Sequence, residues 1–573
     1  MKRGFRPHCA RKWADEVLCR EGLYRHPTFP IARPLNLNGS SAFVGWPLFT
    51  TSTLKHAILL LSAQWLAVVA LGQIDGDNIF SVDQVISINL DFPQADFWQQ
   101  LEANYEAEEN TYIAADLTLT DVSGTYNLDS VGVRLKGNSS YMHPGDKKSF
   151  KIDFNKFIAG LNYDGLKKLN FSNGFKDPTC MREKLFFDVC RAAGVPAPRA
   201  GFAEVTFNGV PWGFYTVVEQ IDDQFLDWNI EEDEGNLFKA GDNFGGGAPG
   251  AGGNDNAADL VYYGEDQAVY ADRYELKTNE DENDWSDLIE LVDFLTNTSS
   301  EAFAAGIDFR VDVDAYLRSA ALNMLFSNLD SYTGSARNYY IYHNQDTNLW
   351  EWIKWDGNEA FGSYTNGAGN METLDVDYSD SPRPLLEKML GHPALYERYL
   401  AQVCDLTEAF FNEDYMFAKI DAAEALITPY VYADDNKMYS NADFNANIEA
   451  DLGGGGGGGM GGGSTYGLKP FVTNRSAHVE GQIDCSQFTG IDAPALEWSL
   501  YPNPVSSSLT VHWGNAMDVS LVFRNILGQE VETVAVQHTD RAVISVRGWS
   551  PGTYVLEVEQ EGAVLTRQQV MVR

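Results

Sequence analysis

Asn328-Leu-Asp-Ser-Tyr332, Asn338-Tyr-Tyr-Ile-Tyr342 and Trp355-Asp-Gly-Asn-Glu-Ala-Phe-Gly362 follow one another within residues 328–362. Two carboxylates, Asp330 and Asp356, and two carboxamides, Asn338 and Asn358, fall at loop-like positions beside aromatic, strand-like runs. Acid and amide oxygens are the ligands a hard cation such as Mg2+ takes, above all one shared with phosphate oxygens.

Upstream of this stretch the pattern is strand-rich. Val85–Leu90, Ala115–Thr120 and Val131–Lys136 alternate apolar and polar residues. Ser149–Phe154 puts Phe150, Ile152 and Phe154 on one face and Lys151 and Asp153 on the other. A helix is expected over Met181–Ala193, opened near Asp177 or Thr179 and stopped by Gly194 and Pro196. Asn208-Gly209 between two apolar runs signals a hairpin. From Trp285 the apolar spacing becomes three and four, predicting helices over Trp285–Thr296, Val313–Phe326 and much of 381–430. Strands first and helices second predict an α+β, bilobal body with a cleft between its halves.

The chain has 573 residues and a formal net charge of -40, so more than one core is expected. Only nine of the 41 Lys/Arg and three of the 81 Asp/Glu lie in residues 1–72, which leaves about -46 on the rest. Such a surface argues against nucleic acid and anionic membranes and favours a cation or a basic protein partner. Lys55-His56, the apolar run Ala57–Ala70 and the small residues Ala70-Leu71-Gly72 read as an export signal at 54–72, too short for a comfortable membrane span. Residues 1–53 are expected to be a mis-assigned upstream extension. Cys180, Cys190, Cys404 and Cys485 would remain after cleavage, with three pairings open. Residues 241–258 and Gly453–Gly463 are Gly-rich; 451–494 is expected to be a linker and connector. Residues 495–573 read as a small all-β, immunoglobulin-like sandwich of short strands.

Eight blocks occur in order: Arg134–Ser140, Lys147–Phe154, Met181–Leu185, Trp212–Ile221, Gly235–Lys239, Tyr274–Asn279, Asn328–Tyr332 and Trp355–Gly362. On these the chain resembles the spore-coat kinase CotH family, found also among secreted bacterial proteins. The resemblance implies an atypical protein-kinase-like domain over 73–450. It also implies transfer of the γ-phosphate of ATP to Ser or Thr of protein partners. Leu500-Tyr-Pro-Asn-Pro504, Asn525–Glu530, Gly552–Leu556 and Arg573 resemble the type A sorting domain of the type IX secretion system of Bacteroidetes-like bacteria. That implies handling by the type IX machinery and a secreted or surface location, with no membrane span in the mature chain.

On the kinase template, Asp330 orients the acceptor hydroxyl, and Asp356, Asn358 and Asn338 hold Mg2+ or Mn2+. Each has a plainer reading: a turn Asp capping amides, a helix-end Asp, a turn-forming Asn. A cation should meet the nucleotide phosphates. Lys151 and Lys148 are candidates, and Lys136 and Arg134 compete with them. Glu183, early in its helix, is a partner for that Lys, and Glu219, at a strand end, would lie near the adenine. These readings predict a secreted Mg-ATP-dependent kinase acting on an exported protein, basic and Ser-rich by charge complementarity. Two alternatives stand beside it: a catalytically inactive kinase-like adhesion protein, and a secreted hydrolase using paired carboxylates.

Overall fold

The computed structural model describes residues 74–573 except 82–83, 108–109, 231, 242–256, 454–464, 489–497, 502–504, 526–528 and 561–562. The expected export signal, the upstream extension and most of both Gly-rich runs therefore lie outside the described residues.

The strand-rich half closes into a barrel. Its strands are β1 (Val85–Asp91), β2 (Ile113–Asp121), β3 (Gly124–Leu135), β4 (Phe150–Asp153), β5 (Lys168–Ser172), β6 (Ala200–Phe207) and β7 (Val210–Glu219). They run in the order β1-β2-β3-β4-β5-β7-β6, and β1 pairs β6 in parallel to close the ring. The alternation seen in the sequence fills its interior: Phe150, Ile152 and Phe154 are buried in one core with Phe171 and Tyr215. Asn208 and Gly209, both at positive φ, make the β6–β7 turn.

A second sheet, in the order β11-β10-β8-β9, comprises β8 (Asn236–Ala240), β9 (Tyr274–Leu276), β10 (Tyr339–Asn344) and β11 (Leu349–Lys354). Helices Arg182–Ala192, Ser286–Asn297, Val313–Leu325, Pro384–Gly391, Pro393–Ala409 and Glu413–Ala433 build a core separate from that of the barrel. Asp312 caps its helix by accepting from the Ala315 amide at 3.1 Å, and Asp177 accepts from the Arg182 amide at 2.8 Å.

Residues 451–494, expected as linker and connector, rejoin this core. Leu452 and Thr465 exchange backbone hydrogen bonds of 2.9 and 3.0 Å. The helix Leu468–Gln482 then buries Leu468, Phe471, Val472 and Val479 among the other helices. A long-range pairing of this kind leaves no trace in a glycine run. Cys404 and Cys485 form a disulfide, while Cys180 and Cys190 are free thiols.

The C-terminal region is all β: β12 (Trp498–Tyr501), β13 (Ser508–Asn525), β14 (Glu530–Ser545), β15 (Gly552–Gln560) and β16 (Ala563–Val572). The strands are longer than the short ones expected and form one antiparallel sheet, with β13 pairing β12, β14 and β15. Leu509, Val511 and Trp513, then Val519, Leu521 and Phe523, share its buried side.

Candidate functional site

The 328–362 stretch is positioned by one helix and one strand. Lys354, at the end of β11, is buried and donates to Ser319 O at 2.7 Å and Asn323 Oδ1 at 2.6 Å, both on the helix Val313–Leu325. Asp356 leaves that strand two residues later, and Asp330 leaves that helix five residues beyond its end. The two loops are therefore referenced to one rigid element. Ser327, Ala336, Asn338, Asp356 and Phe361 all adopt positive φ between 42° and 59°. Such backbone persists outside glycine only where surroundings over-determine it, and it concentrates at functional sites.

Asp356 faces the barrel half. Lys136, one residue past β3, is pulled by Asp356 and by Glu183 of the helix Arg182–Ala192. Burial pushes the Lys136 ammonium down to about 8 against those two carboxylates. Burial, with Asp356 adding repulsion, pushes Glu183 up to about 8. Lys136 also donates to Asn170 Oδ1 at 3.3 Å and lies 5.2 Å over the Trp355 ring. Gly357 lets the turn close on this helix: a Cβ there would come within 2.5 Å of Phe186 Cδ1.

Asp330 belongs to the same charge cluster. Glu359, buried, feels Asp330 and Asp356 together, and burial raises it to about 7 although Lys176 Nζ stands 2.7 Å from its Oε1. Asp330 Oδ1 accepts from Ser335 Oγ at 2.7 Å, and Asn338 Nδ2 donates to the Asp330 carbonyl at 2.9 Å. Asn338 thus braces the Asp330 loop with its amide nitrogen. Asn358 is half-buried in the turn after Asp356.

The remaining sequence candidates sit differently. The lysine facing Glu183 is Lys136, the competitor, rather than Lys151. Lys151 Nζ donates to Gln220 Oε1 at 2.7 Å. Burial, with Arg134, Lys168 and Lys136 around it, holds it well below the usual lysine range. Arg134 pairs Lys151 directly across β3 and β4, so these cations line one barrel face beside the site. Lys148 holds its own loop, donating to Tyr141 O at 2.7 Å and His143 O at 2.5 Å. Glu219 is buried and taken up by Arg199, with its Oε1 2.6 Å from Nη2 and its Oε2 3.0 Å from the Arg199 amide. That ion pair leaves it no free edge for a base. Sequence reasoning gave no role to Glu359 or Lys176. The signal for Glu359 was present, since it lies inside the quoted stretch.

Among the described residues no group of three or more His, Cys, Asp or Glu is arranged to hold a metal ion. A cation here would need the carboxamides and oxygens of its ligand as well as Asp356. The surroundings fit that demand: Glu183 Oε2, Glu359 Oε2 and Asn328 Oδ1 are buried oxygens with no hydrogen-bond partner.

This acidic turn after a strand, facing a barrel lysine and a helix glutamate beside a braced Asp loop, lies within a segment that matches the CotH kinase family. The chain belongs to that family: residues 133–453 match the family model described as CotH kinase protein. Residues 499–573 match one described as a secretion system C-terminal sorting domain, which implies type IX handling and supports a secreted or surface location. The chain is 29% identical over 321 residues to the inner spore coat protein H of Bacillus subtilis, covering 54% of this chain and 81% of that protein. It is 21% identical over 337 residues to invasin CotH2 of Rhizopus delemar, covering 54% of this chain and 52% of that relative's length. Among the described residues no helix is long and apolar enough to cross a membrane.

Proposed function

We propose that this chain is an exported protein kinase that transfers the γ-phosphate of Mg-ATP (or Mn-ATP) to Ser or Thr of exported proteins. The observation that carries the reading is the convergence of Lys136, Glu183 and Asp356, with Glu359 coupling them to Asp330. When bound, Mg-ATP supplies the phosphoryl group and a cation that neutralises charge developing on its oxygens. Asp356, Asn358 and Asn338 present oxygens for that cation. Lys136 donates to phosphate oxygens and Glu183 orients it. Arg134 and Lys151 add positive potential on the adjoining barrel face, where the rest of the body is acidic. Asp330 accepts the proton of the acceptor hydroxyl. A basic, Ser-rich segment is the acceptor that the acidic body attracts best.

The test is incubation of the full chain with radiolabelled ATP and Mg2+ or Mn2+. Asp356→Asn and Asp330→Asn should each abolish labelling while leaving the melting temperature nearly unchanged, since Asn tolerates the positive φ of Asp356. A wild-type chain that neither binds ATP nor labels any protein would favour the second reading, a non-catalytic surface binding protein. That reading draws its support from the relative named an invasin.

A further inference from the structure

The family match ends at residue 453, yet the helix Leu468–Gln482 touches the loop that carries Asp356 and the last turn of the helix that leads to Asp330. Phe471 packs edge-on against Phe361 at 5.9 Å, and a Cβ on Gly362 would stand 3.1 Å from Phe471 Cε2. Phe361 and Gly362 close the turn that begins at Asp356. Arg475, fully buried, donates through Nη2 to Met324 O at 2.8 Å and through Nε at 3.2 Å, and through Nη1 to Leu374 O. Met324 lies in the last turn of the helix that leads to Asp330. The two loops are also stitched together, Gly362 N donating to Phe326 O at 3.2 Å and Phe326 meeting Phe361 edge-on at 5.0 Å. Just past this helix, Cys485 is bonded to Cys404 of the helix Pro393–Ala409.

We infer that the helix Leu468–Gln482 is a positioning element of the site. It is clamped by the Cys404–Cys485 disulfide, and through Phe471 and Arg475 it holds the Asp356 turn and the Asp330 loop in one cooperative unit. The fully buried Arg475 guanidinium is devoted to backbone carbonyls. It reinforces the Met324 carbonyl, which also accepts from the Ser327 amide at 3.1 Å, where the helix Val313–Leu325 gives way to the 328–338 loop. This inference stands on packing alone and holds whether or not the site transfers phosphate.

Native-state hydrogen exchange of the full chain across a urea series tests it, because residues that open together share one opening free energy and one urea slope. Amides of 472–482, 326–332 and 357–362 are expected on one common curve, distinct from that of β1–β3. Phe471→Ala should speed exchange of all three segments by a common factor of at least about tenfold and leave β1–β3 unchanged. Phe471→Met, which refills the volume, should restore most of the protection. A general structural role would move the barrel amides as well, and that result overturns the inference. So does a wild-type series in which 357–362 stays protected after 472–482 has opened. The wild-type series needs no variant to fold. Loss of ATP labelling plays no part in it, so failure here and failure of the kinase reading are told apart.

Discussion

Lys147 Nζ lies 2.6 Å from Asp434 Oδ2, both side chains almost completely buried, although 287 residues separate them in the chain. The same carboxylate oxygen accepts from the Phe214 amide at 3.0 Å, and the Lys147 ammonium lies 5.2 Å over the Tyr215 ring. One ion pair thus ties the segment before β4 and the strand β7 to the end of the helix Glu413–Ala433. A buried pair is a weak source of net stability, but breaking one partner strands a charge. Asp434→Ala is expected to destabilise by about 3–5 kcal/mol, read by urea unfolding. A cost below about 1 kcal/mol would show that water reaches the lysine.

Lys136 and Lys151 make opposite predictions. Lys136→Met removes the cation facing Asp356 and Glu183, and labelling from ATP should fall at least about a hundredfold. Lys151→Met removes a cation held by Gln220, so the maximal rate should survive with weaker nucleotide binding. Equal losses in the two variants would return Lys151 to the place the sequence first suggested.

The pH dependence of stability follows from Glu183. Its carboxyl is held by burial at about 8 in the folded protein, against 4.5 for the ordinary group. Between these values the folded state keeps a proton that the unfolded state releases. Its contribution is complete below about pH 4.5 and declines as pH rises toward 8. Lys136 acts in the opposite direction above pH 8, where the folded state has already lost a proton that the unfolded lysine keeps to 10.5; the unfolded state then binds the extra proton, so stability rises with pH there. Glu183→Gln should therefore flatten the fall in melting temperature between pH 5 and 8 while abolishing labelling. An unchanged slope would refute the assignment.

Gly357→Ala would drive a methyl group to 2.5 Å from Phe186, a core ring with little room to retreat. The turn should shift, costing about 1–3 kcal/mol and weakening nucleotide binding together, as paired denaturation and binding measurements would show.

Removing the disulfide by Cys404→Ser with Cys485→Ser frees a loop closed over a separation of 81 residues. A loss of about 2–5 kcal/mol is expected in urea unfolding, with little change in the barrel. A variant as stable as the parent would mean that packing alone seats the last helix.

Much of this architecture was legible because the deciding signals are local. Phe150, Ile152 and Phe154 declared their face by alternation, and Asn208-Gly209 declared its turn. The acidic residues of the quoted stretch also gather in space, with Asp330 and Asp356 both acting on Glu359. What could not be read depended on register. Whether Lys136 or Lys151 meets Glu183 depends on how a barrel strand ends relative to a helix in another core, and a shared motif fixes the parts without their offsets. Glu219 looked available at a strand end because its partner Arg199 sits on the neighbouring chain segment. The helix beyond the glycine run was hidden for the same reason: Leu452 and Thr465 meet only in three dimensions.

The parallel pairing of β1 with β6 joins Val85–Leu90 to residues 202–207, with the whole of β2–β5 made in between. A chain threaded through a pore amino end first must therefore carry one side of its leading strand uncommitted until that distant segment emerges. Ring completion is a late event by geometry alone, and it removes the open strand edges that would otherwise invite aggregation.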